Sequence, residues 1–516
     1  MKNRDYNIFF NLHTISGIII SALLYVIFFA GSFSFFRDEI VNWENNTSAY
    51  QQKPEEVNFN RAIDSLAENY QLYSRDISFN NSRDEYKMGV NLGPVKDSTL
   101  IDAKPGGYIY LNNFNFQENS YVEGYGLGEF LYRLHFFAQI PYPFGYYLSG
   151  FVALFFVFVI ITGVLVHWKK IVSNFYIFRP WSKLKTLWTD AHTALGTIGL
   201  PFQLVFAVTG AFFMIKAVLL GPLVSVLYDG NQTQLYQNLG YSFPAEEFNY
   251  QKEEGEERVN INAFVKETAA KWDDFVVEKV HINNYGDKSM KVTVSGRLDY
   301  SSKFTGLGEI KYDAYTGEVV SEKGPYQDAS YIDVVKTVLY RLHIGDYGNY
   351  AIRVLYFILG IIGCFIIVSG IIIWQVARDK KSVPERKRKF NFQLVNIYMA
   401  VCMSMYPLIA ILFILVKTKV LSSQSDIYSF FFIAWLVVSI GFVWLKNYKL
   451  TTKYSLLSGA IIGLGIPIAS KLSTGIGFWQ NYQEGKFDLF FIDFFWLMLS
   501  LVALFAYWKA YAKKDK

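Results

Sequence analysis

The sequence predicts a polytopic α-helical membrane protein. Its parts are a four-helix core made from a duplicated two-helix unit, extracytoplasmic α+β domains, and four extra C-terminal transmembrane helices. Three observations predict this. The 516-residue chain is 52% hydrophobic and holds apolar runs of about 20 residues, enough to cross a hydrocarbon core of roughly 30 Å. Leu131-Tyr132-Arg133-Leu134-His135 recurs as Leu339-Tyr340-Arg341-Leu342-His343, each copy ahead of an apolar run with Thr162-Gly163 or Ser369-Gly370 inside it. A second correspondence pairs His13, Gly17 and Gly31 with His192, Gly196 and Gly210, so a histidine stands at equivalent places in both copies.

Taken in order, residues 1–39 hold the first span, 15–37. No small-x-small cleavage site follows it, so it is read as a retained helix and not a signal peptide. Residues 40–130 form a first extracytoplasmic domain. Residues 131–168 hold a short helix and the second span, 146–167, and 169–190 are a cytoplasmic loop. Residues 191–224 hold the third span, 193–217. Residues 225–338 form the second extracytoplasmic domain. There, Val276–Ile282, Lys291–Val294 and Glu309–Asp313 alternate like strands, and the turn Ala314-Tyr315-Thr316-Gly317 leads into Glu318-Val319-Val320. Ala263 to Trp272 reads as a helix ahead of them. Residues 339–377 repeat the short helix and hold the fourth span, 351–376, and 378–392 are a basic loop. Residues 393–516 hold spans 394–416, 427–445, 455–470 and 489–508, without histidine. Asp488 and Asp493 fall at the start of the last span, near the outer interface.

Charge orients these spans. Lys2 and Arg4 precede the first span, and Lys169, Lys170, Arg179, Lys183 and Lys185 join the second to the third. Arg378, Lys380, Lys381, Arg386, Lys387, Arg388 and Lys389 follow the fourth, with Lys446, Lys449, Lys453, Lys509, Lys513, Lys514 and Lys516 further on. All fall on one side if the spans alternate, and that side is expected to be cytoplasmic. Both termini are then cytoplasmic and the large loops periplasmic. Trp168, Trp181 and Trp188 fit an interfacial belt on the inner side. Lys417, Lys419, Lys471 and Lys486 are placed in short loops on the opposite side. The net charge of +5 is localised in this way and is not a nucleic-acid signal. Cys364 and Cys402 lie inside apolar runs and offer neither a disulfide framework nor a thiolate metal site.

The histidines then fall at two depths. His13, His167 and His192 lie near cytoplasmic span ends, and His135 and His343 lie on the outer side. Polar rings inside membrane helices are costly and mark functional sites. Imidazole is a good axial ligand for haem iron, and helix bundles hold cofactors between facing helices. An internal two-fold along the membrane normal pairs His13 with His192 and His135 with His343. Two haems, one near each face, would carry electrons across the bilayer. His167 breaks the symmetry, because Trp374 occupies the matching place. Three roles are open to it: inner ligand, partner of a haem propionate, or proton shuttle. His135 and His167 are too far apart for one straight span, about 48 Å at helical rise. Pro141 and Pro143 break the segment and put His135 on a short helix. Arg133 and Arg341 lie on the opposite helix face from their histidines, where headgroup anchoring competes with propionate binding. His281 reads as a surface strand residue. Gly17, Gly31, Gly163, Gly196, Gly210 and Gly370 admit either a flat macrocycle or close helix packing.

The chain resembles the PepSY-associated transmembrane helix family, which includes bacterial inner-membrane ferric-siderophore reductases. The resemblance rests on Leu12-His13-Thr14 with Gly17, Leu134-His135, Thr162-Gly163 with His167 and Lys169, Asp190-Ala191-His192 and Pro201-Phe202. Leu342-His343, Ser369-Gly370 with Trp374, and Asp313-Ala314-Tyr315-Thr316-Gly317-Glu318, similar to the end of a PepSY domain, extend it over roughly residues 8–380. It implies a bacterial inner-membrane location, PepSY-like outer domains, two b-type haems and reduction of siderophore-bound Fe(III). His13, His192, His135 and His343 would be the iron ligands, with His167 as a further candidate. Gln203 departs from the pattern, standing where some members carry another histidine. No flavin or nicotinamide domain is seen, so electrons are expected from quinol or a cytoplasmic flavoprotein. Two other readings use the same features. The PepSY-like domains could be anchored regulators of a peptidase without redox activity, or the extra spans and the repeat could belong to a siderophore or iron transporter.

Overall fold

The computed structural model describes residues 3–51, 56–81, 84–176, 179, 184–240, 246–252, 259–299 and 302–511. Lys2, Trp181, Lys183, Lys513, Lys514 and Lys516 lie outside them. Among the described residues, seven helices are long and apolar enough to cross a membrane, and a bent pair makes an eighth span if counted as one.

Along the chain, α1 (Asn3–Ser34) turns into the short α2 (Arg37–Asn45) and is followed by α3 (Phe59–Asn69). Strands β1 (Ile77–Asn80), β2 (Lys87–Leu92), β3 (Gly107–Asn112) and β4 (Glu118–Ser120) come next. Then come α4 (Leu127–Leu134), α5 (Phe144–His167), the short α6 (Ile171–Tyr176), α7 (Leu184–Ile198), α8 (Leu200–Leu227), α9 (Gln232–Asn238) and α10 (Ile261–Lys271). The second outer segment supplies β5 (Phe275–Asn283), β6 (Lys291–Leu298), β7 (Leu307–Asp313) and β8 (Val319–Lys323). It ends in α11 (Tyr331–Ile344) and α12 (Asn349–Arg378). The C-terminal unit is α13 (Glu385–Met403), α14 (Met405–Lys417), α15 (Gln424–Trp444), α16 (Tyr448–Thr474), the short α17 (Phe478–Gln483) and α18 (Phe487–Tyr511).

The four-helix core follows the duplication. α1 packs on α5 and α12, α5 packs on α8, and α12 packs on α7. The third span departs from its counterpart α1. It bends by 68° between α7 and α8, where Gly199 leads into Leu200-Pro201. Pro201 has no N–H for the carbonyl four residues back, so a straight helix would lose that bond. A second break divides α13 from α14 at Ser404, ahead of Pro407. The Met403 carbonyl that Pro407 cannot reach accepts instead from Ser455 Oγ of α16 at 2.5 Å. Buried backbone groups in a membrane require such substitutes.

Outside the helices, the two outer segments are not two sheets. They make one antiparallel sheet in the order β4-β3-β2-β1-β5-β6-β7-β8. Its centre is the β1·β5 pair, with Ser78 opposite His281 and Phe79 opposite Val280. Phe59, Ala62, Ile63 and Leu66 of α3, and Ile261, Phe264 and Val265 of α10, cover one face at helical spacing. The local two-fold is visible in hydrogen bonds. Asn262 accepts from the Phe59 N–H at 2.7 Å and Asn60 accepts from the Ile261 N–H at 2.9 Å. The amides close the clasp, Asn262 to Asn58 at 2.7 Å and Asn60 to Asn260 at 2.8 Å. Each helix thus starts on a side chain from the other copy, and the sheet is a product of both segments.

Several side chains sit elsewhere than the sequence suggests. His281 is buried on β5 with Nδ1 2.7 Å from Ser78 Oγ, because β1 covers the edge that β5 would expose alone. Lys417 is not in a loop. It ends α14, is 3% exposed, and donates to the Trp43 carbonyl and to Asn46.

Candidate functional site: two facing histidine pairs

Each histidine of the repeat crosses to a facing helix at a small residue. His13 of α1 puts Nδ1 2.9 Å from the Val159 carbonyl of α5. One turn on, a Cβ at Gly163 would lie 3.0 Å from the His13 ring. His192 of α7 repeats this on α12, with Nδ1 3.0 Å from the Ile366 carbonyl and 3.1 Å from Ser369 Oγ. There a Cβ at Gly370 would lie 3.3 Å from the ring. The two rings face each other with centroids 6.3 Å apart and planes at 75°.

The pair on the sheet side is built the same way. His135, just beyond α4, has Nδ1 2.7 Å from the Ile27 carbonyl of α1, and a Cβ at Gly31 would fall 2.4 Å from that nitrogen. His343 of α11 meets a hydroxyl in place of a carbonyl. Its Nδ1 is 2.7 Å from Thr209 Oγ1, which donates to the Val205 carbonyl at 2.5 Å. With its proton committed, that oxygen accepts from Nδ1–H. The centroids of His135 and His343 are 5.9 Å apart and the planes lie at 44°.

A carbonyl can only accept, so the Nδ1 bonds of His13, His135 and His192 fix the Nδ1–H tautomer. Nε2 is then the ring's electron-pair donor, the arrangement that orients histidine for a metal. A metal held between two imidazoles by bonds of about 2 Å puts ring centroids about 6 Å apart. Both pairs match that span. Along α1, His13 and Ile27 are separated by about 21 Å of helical rise, so the pairs lie near opposite faces of a bilayer core of about 30 Å. Phe206 packs on His343 with centroids 6.1 Å apart, and Phe28 lies 6.3 Å from Phe206 and 5.5 Å from Phe156.

The structure therefore brings together the four repeat-matched histidines in the two expected pairs. His167 ends α5, half-buried, within electrostatic reach of His192 and so at the same end as the first pair. Arg133 joins neither pair. It bonds Glu129 at 2.7 Å, and Arg37 bonds Glu129 at 3.0 Å and Glu85 at 2.6 Å. Burial would raise the Glu129 carboxyl, but the two arginines outweigh it and hold it below its ordinary value. Arg341 is 2% exposed and lies over the Phe304 ring. Arg133 also lies over the Tyr121 ring, and Arg341 is 3.9 Å from Asp346, so both guanidinium groups are engaged by protein groups away from the histidine pairs. The glycines divide. Gly31, Gly163 and Gly370 make room for imidazoles, whereas a Cβ at Gly196 would meet nothing within 4 Å. Sequence reasoning missed Thr209. A signal was present, because Ser16-Gly17, Thr162-Gly163, Thr209-Gly210 and Ser369-Gly370 put a hydroxyl before four of the six repeat glycines, with Ala30-Gly31 and Leu195-Gly196 as the exceptions.

Fold and site together define a polytopic membrane protein with a duplicated, histidine-paired helical core under one extramembrane sheet. Residues 10–377 match the family model of the PepSY-associated TM region, and the chain belongs to that family. An uncharacterized protein of Pseudomonas aeruginosa is 23% identical over 240 residues, 44% of this chain. The match spans 57% of that relative's length.

Proposed function

We propose that this protein is a dihaem membrane reductase that passes electrons across the bilayer to ferric iron, bound in a chelate of the ferric-siderophore class, on the sheet side. The observation that carries the reading is the twofold repetition of one geometry: paired imidazoles with ring centroids about 6 Å apart, Nδ1 tied to a neighbouring helix and Nε2 left as the electron-pair donor. Two imidazoles supply only two ligands, and among the described residues no group of three or more His, Cys, Asp or Glu converges on a metal. A macrocycle supplying the remaining ligands fits this donor set better than a bare ion.

His13 and His192 would hold one b-type haem, and His135 and His343 the other. Haem iron held by two histidines supplies one-electron transfer and leaves no open position for oxygen. The chain's own residues then set orientation and polarity. Val159, Ile27 and Ile366 fix the rings through their carbonyls, Thr209 does so through its hydroxyl, and Phe206 and Phe213 pack against the His343 ring. In this reading the sheet faces the periplasm of a bacterial inner membrane and receives the ferric chelate. Electrons enter at the opposite end from quinol or a flavoprotein, where His167 stands beside the first pair. Reduction loosens iron from a chelate because Fe(II) is held less well by hard oxygen ligands than Fe(III).

The test is the absorption spectrum of the full-length protein from haem-replete cells. A six-coordinate low-spin b-type spectrum with two haems per chain is expected, followed by ferric-siderophore reduction in vesicles. A folded, colourless protein would overturn the reading.

A further inference from the structure

The C-terminal unit carries a line of buried polar atoms that its fold leaves unanswered. Asp493, Trp496 and Ser500 share one face of α18 and are all 0% exposed. Asp493 Oδ1 accepts from Trp43 Nε1 of α2 at 2.9 Å. Among the described residues, Asp493 Oδ2, Trp496 Nε1 and Ser500 Oγ have no hydrogen-bond partner, and neither does Tyr406 OH of α14. Ser470 approaches Asp493 and Ser500 approaches Tyr406, without hydrogen-bond geometry in either case. The line runs roughly 10 Å along the helix axis. It is backed by Gly459 and Gly463 of α16, where a Cβ would come within 2.3 Å of Tyr406 and of Ser500.

In hydrocarbon each such atom costs several kcal/mol when unpaired, and carboxylates inside a membrane mark proton or ion pathways. Trp496 Nε1 can only donate, the Asp493 carboxylate oxygen can accept, and the Ser500 and Tyr406 hydroxyls can do either, so a file of water can answer all four. Charge around Asp493 is provided for. Lys417 of α14 lies within its electrostatic reach, with Lys419 and Glu44 beyond. Asp488, on the same helix, is already satisfied by Asn42, Ser48 and the Ala49 N–H. α16 offers Ser470 at this level and an exposed Lys471.

We propose that the C-terminal unit holds a proton-binding site at Asp493, served by a water file along α18 that satisfies Trp496, Ser500 and Tyr406. The carboxylate takes up one proton to become the neutral acid, and Lys417 keeps its charge. Trp496 stacks on Phe33 of α1 at 5.7 Å, so the site adjoins the helix whose Ile27 carbonyl holds His135.

The test is infrared spectroscopy of the full-length protein in lipid nanodiscs, titrated in H2O and D2O. A carboxylic-acid carbonyl band should appear on acidification, shift in D2O, vanish in Asp493→Asn and persist in Asp488→Asn. The same band in Asp493→Asn would overturn the site. Trp496→Phe with Ser500→Ala keeps the packing and removes the file. It should slow exchange of the band into D2O roughly tenfold, the rate equivalent of one hydrogen bond. Unchanged exchange would overturn the file, and this variant decides the matter even if Asp493→Asn does not fold. The band is read without haem, so its failure is distinct from failure of the reductase reading.

Discussion

Replacing Gly31 with alanine should break the sheet-side pair and leave the other intact. The new Cβ would stand 2.4 Å from His135 Nδ1 and 2.6 Å from Cε1, nearer than any ordinary contact. The ring cannot simply swing away, because its Nδ1–H is held by the Ile27 carbonyl at 2.7 Å. Overpacking of this kind costs about 1–3 kcal/mol, and the lost hydrogen bond about 1 kcal/mol more. The other glycines grade the effect. The approach is 3.0 Å at Gly163 and 3.3 Å at Gly370, while Gly196 is open. Gly163→Ala should therefore cost about 1 kcal/mol, and Gly196→Ala should be neutral or gain up to about 1 kcal/mol of helix propensity. The assay is thermal unfolding together with haem content and redox titration of each variant. Damage in the order Gly31, Gly163, Gly370, Gly196 is expected, and under the proposed dihaem function Gly31→Ala should lose the sheet-side haem. Equal damage from Gly196→Ala and Gly31→Ala, or two unshifted haems in Gly31→Ala, would refute the reasoning.

Four further outcomes follow from the same geometry. Under the proposed dihaem function, His135→Ala and His343→Ala should each remove one and the same haem, and His13→Ala and His192→Ala the other; loss of different haems within a pair would contradict the pairing. Thr209→Val takes away the acceptor for His343 Nδ1–H and should shift the midpoint potential of the sheet-side haem while sparing the other, as redox titration would show. Burial moves the His281 ring from 6.5 down to about 4, so below pH 6.5 the unfolded chain binds a proton that the folded sheet refuses. Stability of the sheet should thus fall by about 3 kcal/mol as pH drops through that window and stay flat above it, and hydrogen exchange of β1 and β5 amides should lose this slope in His281→Gln. Asn60→Ala and Asn262→Ala each cut the clasp between α3 and α10 and should cost about 1–2 kcal/mol apiece, with a double-mutant cycle giving strong coupling in thermal unfolding.

The helical core was legible because its signals are local or repeated. Apolar runs mark spans by length alone, and the duplicated histidine strings name the ring that faces each ring. Thr209 was harder to see, since its partner His343 lies on a different helix and only the recurring hydroxyl-glycine pairs hint at it. Lys417 misled for a related reason: a charged residue near a span end reads as a loop residue until another helix covers it.

Taken by itself, the sequence determined the membrane class, the duplication, the pairing of His13 with His192 and of His135 with His343, and most strand and helix positions. These follow from hydrophobic length, period and repeat, which the chain carries within itself. Only the tertiary structure decided that both outer segments build one sheet, that Nδ1 of each paired histidine is spent on a facing helix, and that α18 buries a line of polar atoms. Each of these depends on which groups meet across hundreds of residues. A strand edge, a carbonyl or a carboxylate does not record its partner in its own neighbourhood of sequence.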